Sequence, residues 1–265
     1  MNVFGKSFEY NGQSSTDYNV QLCTFDSSDE NRETAISYSL LTGDITPNRH
    51  IPNFYAKKYN EPLEFSISLL KGCGTNRPFT TQEQKEIIRW LTSPKEHKLF
   101  KVVDYDGEDY HTDIEYFCLC TSYNEVVING LTGMEFTFKC NAPFGFYPEQ
   151  ITEFTAPVSI DVDNYSDELF EDYYPVIELE CNKTGEVTFT NSSFESDIMT
   201  LQCVAGQTLY IDCQLGDITD NLDLFDYSTD TNLIWLKLAH GINTINITGD
   251  VAGKIRCRYM RKAGI

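Results

Sequence analysis

The sequence predicts a mainly β protein made of two domains. Aromatic residues make up 13% of the 265 residues, with 16 Tyr and 17 Phe, and aromatic side chains favour strands. Short alternations of apolar and polar residues, bounded by turn residues, recur along the chain, whereas one segment alone has a clear helical pattern. The chain is also longer than a common single domain of roughly 100–200 residues. We therefore expect an N-terminal antiparallel β domain with one α-helix, followed by a C-terminal β-sandwich.

The boundary between the two domains is predicted from residues 131–150. Apolar and polar side chains alternate over residues 134–140, which is typical of a half-buried strand. Pro143 and Pro148 each lack a backbone N–H, so strand pairing is expected to stop near Asn141. The apolar segment that follows indicates a stiff, partly buried connector. The expected limits are residues 1–143 for the first domain, 144–160 for the connector and 161–265 for the sandwich.

The strands of the first domain are predicted from alternating stretches that flank short turns. Asn11-Gly12 and Asp106-Gly107 are the dipeptides that tight hairpins prefer. Residues 46–53 contain two prolines and are expected to form a loop or an extended arm. The predicted strands are residues 4–10, 18–25, 34–41, 63–70, 99–104, 110–120 and 123–128.

A single helix is predicted at about residues 81–92. Thr80 and Glu83 have the spacing of a capping box, in which each side chain accepts a hydrogen bond from the other's backbone N–H. Ile87, Trp90 and Leu91 fall on one face of this helix. The helix is expected to end at Ser93-Pro94, because the residue before proline disfavours helical geometry.

The second domain contains only strand patterns. Turn residues recur every 8–12 positions, as in β-sandwiches. The predicted strands are residues 174–181, 186–190, 197–203, 207–213, 233–238, 242–248 and 254–259.

The net charge of −20 argues against a protein that binds nucleic acid through its phosphates. Residues 1–148 carry 13 basic and 20 acidic residues, and residues 149–265 carry 7 and 20, so the second half is the more acidic. This charge fits either simple solubility or a surface past which DNA moves without binding.

No apolar run approaches the roughly 20 residues of a membrane span, and the N-terminus lacks a signal-peptide pattern, so we expect a protein that folds in a cytoplasm.

The cysteines and histidines do not form a recognisable site. The nine cysteines include no Cys-x-x-Cys pair, and most lie within apolar alternations, so we expect buried free thiols in a reducing compartment. The four histidines are scattered. Residues 104–109 and 161–172 are acidic enough to suggest calcium, but a hairpin tip and a solvated linker explain them better. We expect no enzyme activity, no cofactor and no bound metal.

Four segments stand out in a set order along the whole chain. They are Phe8-Glu-Tyr10-Asn-Gly12 with Asp17-Tyr18; the helix 84–91 with Leu99 and the turn 104–110; Glu135-Phe-Thr-Phe-Lys-Cys140-Asn-Ala-Pro143-Phe-Gly-Phe-Tyr147; and Leu238-Ala-His-Gly241-Ile-Asn243-Thr-Ile245-Asn-Ile247 with Ile255-Arg-Cys-Arg-Tyr259. Together these segments resemble the distal tail proteins of long-tailed phages with flexible, non-contractile tails.

The resemblance implies a structural hub at the tail tip of the virion, assembled in the host cytoplasm. It implies a homo-hexameric ring formed by the N-terminal domain around a channel through which DNA passes without specific binding. It also implies a C-terminal sandwich similar to galectins and carbohydrate-binding modules. The implied partners are the tail tube protein and the hub, fibre or receptor-binding proteins of the tail, and the implied roles are host attachment and DNA ejection.

The alternative is a carbohydrate-binding module or an accessory domain of a glycan-active protein. The acidity of the C-terminal half does not suit a sugar-binding face, and Trp235 lies in an apolar alternation that suits a core position. A docking role for the sandwich is therefore favoured over sugar binding.

Seven residues are candidates for contacts between subunits. Stiff, proline-containing loops and exposed aromatic side chains are typical of protein interfaces, where Tyr and Phe concentrate. Ordinary surface loops remain the alternative. The candidates are Pro47, Arg49, Pro52, Tyr105, Tyr110, Phe144 and Tyr147.

Overall fold

The computed structural model is built mainly from antiparallel β-strands, in agreement with the predicted fold class. The chain divides into two compact units, Met1–Phe146 with Lys262–Ile265, and Tyr147–Arg261. Within the described residues the structure has one α-helix. The described residues are 7–23, 38–44, 51–59, 61–71, 78–103, 114–128 and 131–262.

The first unit contains a large antiparallel sheet and a separate hairpin. The sheet order is β2-β1-β7-β8-β9-β6-β3, and β10 pairs with β8. The strand β8 runs through the two stretches that the sequence predicts as separate strands, with an irregularity in register between Cys120 and Ser122. The strands are β1 Ser7–Tyr10, β2 Gln13–Ser14, β3 Val20–Cys23, β4 Tyr38–Thr42, β5 Phe54–Tyr59, β6 Glu64–Lys71, β7 Lys98–Val103, β8 Glu115–Ile128, β9 Leu131–Cys140 and β10 Gly145–Phe146.

Aromatic side chains fill the core of the first unit. The ring of Phe100 lies 5.3 Å from that of Phe8, 5.0 Å from that of Phe65 and 5.6 Å from that of Phe138. These four side chains are fully buried, and they come from four different strands of the sheet. Such ring pairs contribute about 0.5–1.5 kcal/mol each beyond the burial of apolar area. The cluster therefore holds the sheet together across its width.

The helix α1, Thr81–Thr92, has the predicted caps and the predicted buried face. The Thr80 side chain accepts from the Glu83 N–H, and the Glu83 carboxylate accepts from the Thr80 N–H at 2.7 Å. Ile87, Trp90 and Leu91 are buried. The Trp90 ring stacks on Tyr18 at 4.4 Å, and its Nε1 donates to the carbonyl oxygen of Tyr10 at 3.1 Å. One side chain thus attaches the helix to the first strand of the sheet.

The second unit is a β-sandwich. A five-stranded sheet has the order β11-β19-β13-β16-β17, and a four-stranded sheet has the order β12-β18-β14-β15. Inward side chains of both sheets join one buried cluster, in which the ring of Phe154 meets that of Phe189 edge to face at 6.1 Å. The strands are β11 Gln150–Thr155, β12 Val158–Asn164, β13 Val176–Cys181, β14 Gly185–Asn191, β15 Met199–Cys203, β16 Thr208–Asp212, β17 Asp217–Asp220, β18 Gly241–Ile247, β19 Val251–Cys257 and β20 Met260–Arg261.

Two expectations for this unit were wrong in detail. Much of the expected connector 144–160 is strand, because β11 pairs along its full length with β19 and β12 pairs with β18. Residues 233–238 do not form a strand. Leu233 has a φ of 59°, which interrupts an extended backbone, and the pairing of Leu238 is limited to a single bridge to Tyr173.

The eight described cysteines are free thiols, and six of them are buried as expected. Burial raises the pKa of the Cys213 thiol to about 12 and that of the Cys257 thiol to about 11. These six thiols act as small apolar core residues. The buried cysteines are Cys118, Cys140, Cys181, Cys203, Cys213 and Cys257.

Within the part of the chain that the structure describes, no helix has the length and apolar composition needed to cross a membrane.

Candidate functional site

The hairpin formed by β4 and β5 exposes an unusual amount of apolar surface. The exposed fraction is 55% for Leu40, 59% for Phe54 and 66% for Tyr55. Ile51, just before β5, is 80% exposed, and Leu41 is also exposed. Large apolar side chains exposed on both faces of one hairpin are unusual in a soluble protein and indicate an interaction surface. We call these five residues the hairpin patch.

Among the described strands, β4 and β5 pair with each other alone. The hydrogen bond from the Gly43 N–H to the Asn53 carbonyl oxygen, at 2.8 Å, continues the pairing beyond the last residue of β4. At the other end of the hairpin, the ring of Tyr59 meets that of Phe144 edge to face at 5.6 Å. A two-stranded hairpin is marginally stable by itself in water, so a partner surface would stabilise this one.

The structure places three of the seven interface candidates. Pro52 is half-buried and lies in the hairpin, next to Ile51 of the hairpin patch. Phe144 contacts Tyr59 of the hairpin and Phe146, the latter at 5.6 Å. The remaining four candidates lie outside the described residues; they are Pro47, Arg49, Tyr105 and Tyr110.

Tyr147 packs against the core of the sandwich and is half-buried. Its ring packs edge to face on Tyr165 at 4.9 Å, and the guanidinium of Arg261 lies 5.1 Å from its ring centroid. Its hydroxyl donates to the Asp167 carboxylate at 3.4 Å. Tyr147 is therefore already engaged by its own unit, although the side chain is only half-buried.

The sequence predicted a proline-containing loop or arm at residues 46–53, of which residues 46–50 lie outside the described residues, and it did not predict the apolar surface of the strands on either side. Residues 34–41 were expected to form a strand, but adjacent Leu40 and Leu41 face opposite sides of it and are both exposed. The available signal was the pair Phe54-Tyr55 directly after a proline-containing loop, followed by Lys57 and Lys58. Apolar and polar residues do not alternate in residues 54–58, so the sequence offers no apolar face for this strand to bury.

The outer face of the five-stranded sheet carries an open groove of about 540 Å³. It lies where Ala252 pairs with Thr155 on one side and Glu180 on the other. At its rim, the Lys254 ammonium lies 3.1 Å from the Glu153 carboxylate, and Tyr210 is exposed. The groove is lined by polar groups and by two aromatic residues, the exposed Tyr210 and the buried Phe154, which is a chemistry that a small polar ligand could use.

Arg256 pairs with two carboxylates on this face. Arg256 donates to Glu149 at 2.8 Å and to Glu178 at 2.5 Å. These hydrogen bonds raise the pKa of the Arg256 guanidinium. Together with the Lys254–Glu153 pair, these ion pairs link β11, β13 and β19 to the segment before β11, and they give the face both positive and negative groups.

Within the described residues, no three His, Cys, Asp or Glu side chains come together as a group that could hold a metal ion. The carboxylates of the acidic segment 161–172 do not gather at one point but have separate partners. Asp161 accepts from the Thr244 hydroxyl at 2.7 Å, and Asp172 lies 3.3 Å from the Lys237 ammonium. The described histidines, His97 and His240, are exposed, and His50 and His111 lie outside the described residues.

Comparison with known families identifies both units. Residues 4–142 match a family described as the phage tail protein N-terminal domain, and residues 144–257 match one described as the phage tail C-terminal domain. The chain belongs to this family of phage tail proteins. A search of the curated proteins found no relative.

The fold of this tail protein is also that of a solved tail protein. It is similar to the crystal structure of the Dit protein of phage SPP1, with a TM-score of 0.63 and 15% sequence identity. The similarity covers 96% of this chain and 98% of the SPP1 chain. The SPP1 protein is described as a paradigm of the hub adsorption apparatus in phages that infect Gram-positive bacteria. The distal tail protein fold expected from the sequence is therefore confirmed.

Proposed function

We propose that this tail protein is a structural hub of the tail tip. In this role it forms a homo-hexameric ring that joins the tail tube to the receptor-binding or fibre proteins, and the ring surrounds a channel through which DNA leaves the particle. Membership of the phage tail family and the fold shared with the SPP1 hub protein support this proposal.

The observation that carries the proposal is the hairpin patch. Its side chains are large and apolar, and they lie on a hairpin that pairs with no other described strand. Burying such side chains against a neighbouring subunit would remove apolar area from water, which is the main favourable term in protein association. It would also stabilise the hairpin itself. A ring closed by head-to-tail contacts uses two different surfaces on each subunit, so a hairpin that reaches a neighbour suits it.

The proposal is tested by measuring the mass of the purified full-length protein at micromolar concentration by native mass spectrometry. We expect hexamers. The double variant Leu40→Ser, Phe54→Ser should shift the protein towards monomers, with the dissociation constant raised at least about tenfold, because truncation of central apolar contacts weakens interfaces by this much or more.

The matched control is Ile151→Thr. Ile151 has a similar exposed fraction, 51%, but lies on β11 of the sandwich. Its substitution should leave the hexamer intact. The melting temperature of each variant shows whether the fold survives, so loss of assembly is separated from unfolding.

A monomer at these concentrations that also binds glycans would overturn the hub proposal. It would favour the alternative, a carbohydrate-binding module, for which the groove beside Ala252 and Tyr210 is the candidate site. Tyr210→Ala should then weaken glycan binding, whereas the hub proposal expects no glycan binding to lose.

A further inference from the structure

The loop between β12 and β13 is anchored at both ends. At its start, the Asp167 N–H donates to the Met260 carbonyl oxygen at 3.0 Å. At its end, the backbones of Tyr173 and Leu238 exchange two hydrogen bonds, at 2.9 Å and 2.7 Å. The Tyr173 hydroxyl also accepts from the Arg258 N–H at 2.7 Å. We call residues 167–172 the acidic loop.

The tip of the acidic loop presents two adjacent apolar side chains to water. Leu169 is 55% exposed and Phe170 is 94% exposed. Single exposed apolar residues are common on protein surfaces, but these two are neighbours on a loop whose ends are held. A held loop loses little conformational entropy when its tip binds, so the tip is ready to act as an interface anchor. Aromatic anchors that enter a pocket contribute much of the binding free energy in such interfaces.

The charge around this tip indicates the chemistry of its partner. Four acids flank the apolar pair within the loop, and the sequence has no Lys or Arg between residues 165 and 174. Asp172 is paired with the Lys237 ammonium at 3.3 Å, and Asp167 accepts from the Tyr147 hydroxyl, so the loop itself keeps a net negative charge. A second copy of this chain would bring further negative charge, since the net charge is −20 and residues 149–265 carry 7 basic and 20 acidic residues. Complementary charge favours a basic partner. The four acids are Asp167, Glu168, Glu171 and Asp172.

We propose that the acidic loop docks another protein of the same tail, inserting Phe170 and Leu169 into an apolar pocket rimmed by Lys and Arg. This proposal rests on the proposed function, because it gives the sandwich its role in joining the ring to other tail proteins. It assigns that role to the tip of the loop and not to the groove on the five-stranded sheet.

The test is site-specific crosslinking in assembled particles. Phe170 is replaced by the photoreactive residue p-benzoylphenylalanine in the full-length protein, supplied as the sole copy during phage production. We expect irradiation to join residue 170 to a different tail protein, at a peptide that contains apolar residues and Lys or Arg. Crosslinks to another copy of this chain alone, or none in particles that contain normal amounts of the protein, would overturn the proposal.

A set of substitutions gives a second readout. In Phe170→Ser particles, the amount of the crosslinked partner, measured by quantitative mass spectrometry, should fall at least about tenfold. Glu171→Lys should lower it as well, because it places a positive charge against the basic rim. The control is Leu215→Ser, another highly exposed apolar residue in a loop of the same unit. Normal partner content in Phe170→Ser particles would contradict the proposal.

Failure of this proposal is distinguishable from failure of the hub function. Purified Phe170→Ser protein should form hexamers as the wild-type protein does, because the substitution lies outside the hairpin patch. If the Phe170→Ser protein forms hexamers and its particles contain the normal amount of partner, the docking proposal for the acidic loop is wrong and the hub proposal still stands. If the wild-type protein itself forms no hexamers and is absent from particles, both proposals fall.

Discussion

At the scale of single residues, Glu83 connects local and tertiary structure. Its carboxylate accepts from the backbone N–H of Thr80 at the start of α1, and it also accepts two hydrogen bonds from the Lys71 ammonium at the end of β6. The Lys71 side chain is almost fully buried, with 5% exposed. The helix position therefore depends on a charge pair as well as on the apolar face.

The first prediction concerns the acid stability of this pair. The hydrogen bonds from Lys71 and then from Thr80 lower the Glu83 pKa from 4.5 to about 2. A carboxyl group with a depressed pKa stabilises the fold above its unfolded pKa, and this contribution is lost as the pH falls towards the folded value. Glu83→Gln should therefore lower the melting temperature at pH 7, and the gap to the wild type should close between pH 4.5 and about 2.

Glutamine suits this substitution because it still completes a capping box. The control is Glu86→Gln, an exposed position on the same helix, for which we expect no comparable gap. Differential scanning fluorimetry across the pH range makes the comparison. A Glu83→Gln gap that persists unchanged to pH 2 would show that the ion pair is not its source.

At the scale of elements, the sequence predicts those structures whose signals are local. The helix is one such case, because its cap at Thr80 and its stop before Pro94 are both encoded within a few residues. The strands β11 and β12 are the opposite case. The connector was predicted from the prolines and the apolar segment of residues 143–148, and no local signal ends it before residue 160. Pairing with the distant β19 and β18 makes residues 150–155 and 158–164 strands.

For the candidate site too, the sequence predicts only the features that have a local signal. The two prolines of residues 46–53 predicted a loop or arm between the strands that the structure describes as β4 and β5, because prolines and turn residues carry a local signal. The exposure of Leu40 and Phe54 was not predictable, since an apolar strand residue is as compatible with a core as with an interface. The interface role expected for Tyr147 stays a prediction. An aromatic residue in a connector suggested an interface, and its ring contacts lie within its own unit.

The second prediction is made for the hairpin as an element. Deletion of residues 47–52 shortens the connection that brings β4 and β5 together and removes Ile51 of the hairpin patch. We expect ring assembly to be lost while the melting temperature of the monomer stays unchanged, because the core of the first unit lies in the other sheet. Native mass spectrometry and calorimetry measure the two quantities. Normal rings after this deletion would count decisively against the arm as an interface.

At the scale of the whole molecule, charge opposes assembly and apolar contacts favour it. Each chain carries a net charge of −20, and the proposed ring would bring these charges together. The third prediction follows from screening, whose range falls from about 30 Å at 0.01 M salt to about 8 Å at 0.15 M. Ring formation should therefore strengthen as sodium chloride rises between these concentrations, as measured by mass photometry.

Salt also strengthens apolar association by exclusion from the protein surface, and the choice of anion separates the two effects. Screening depends on ionic strength alone, whereas sulfate favours burial more than chloride does. Equal ring content in the two salts at matched ionic strength would identify charge repulsion as the cause. Ring content that falls with added salt would contradict this account and indicate that ion pairs hold the subunits together.

The fourth prediction concerns the channel of the proposed ring. Each Lys or Arg that contacts a DNA phosphate releases counterions and adds affinity, so a wall that lets DNA pass should lack such contacts. Residues 1–148, which include the domain proposed to form the ring, carry 13 basic and 20 acidic residues, enough for a lumen that is net acidic. Symmetry repeats any such face in every subunit, so a small surplus of carboxylates in one chain becomes a continuous negative ring.

The alternative explanation is that the acidic residues only keep the unassembled protein soluble, which does not require them to lie on one face. A structure of the assembled ring distinguishes the two: we expect more Asp and Glu than Lys and Arg on the inner wall, and the reverse would remove the basis for DNA passage while leaving the hub assignment to be judged on its assembly.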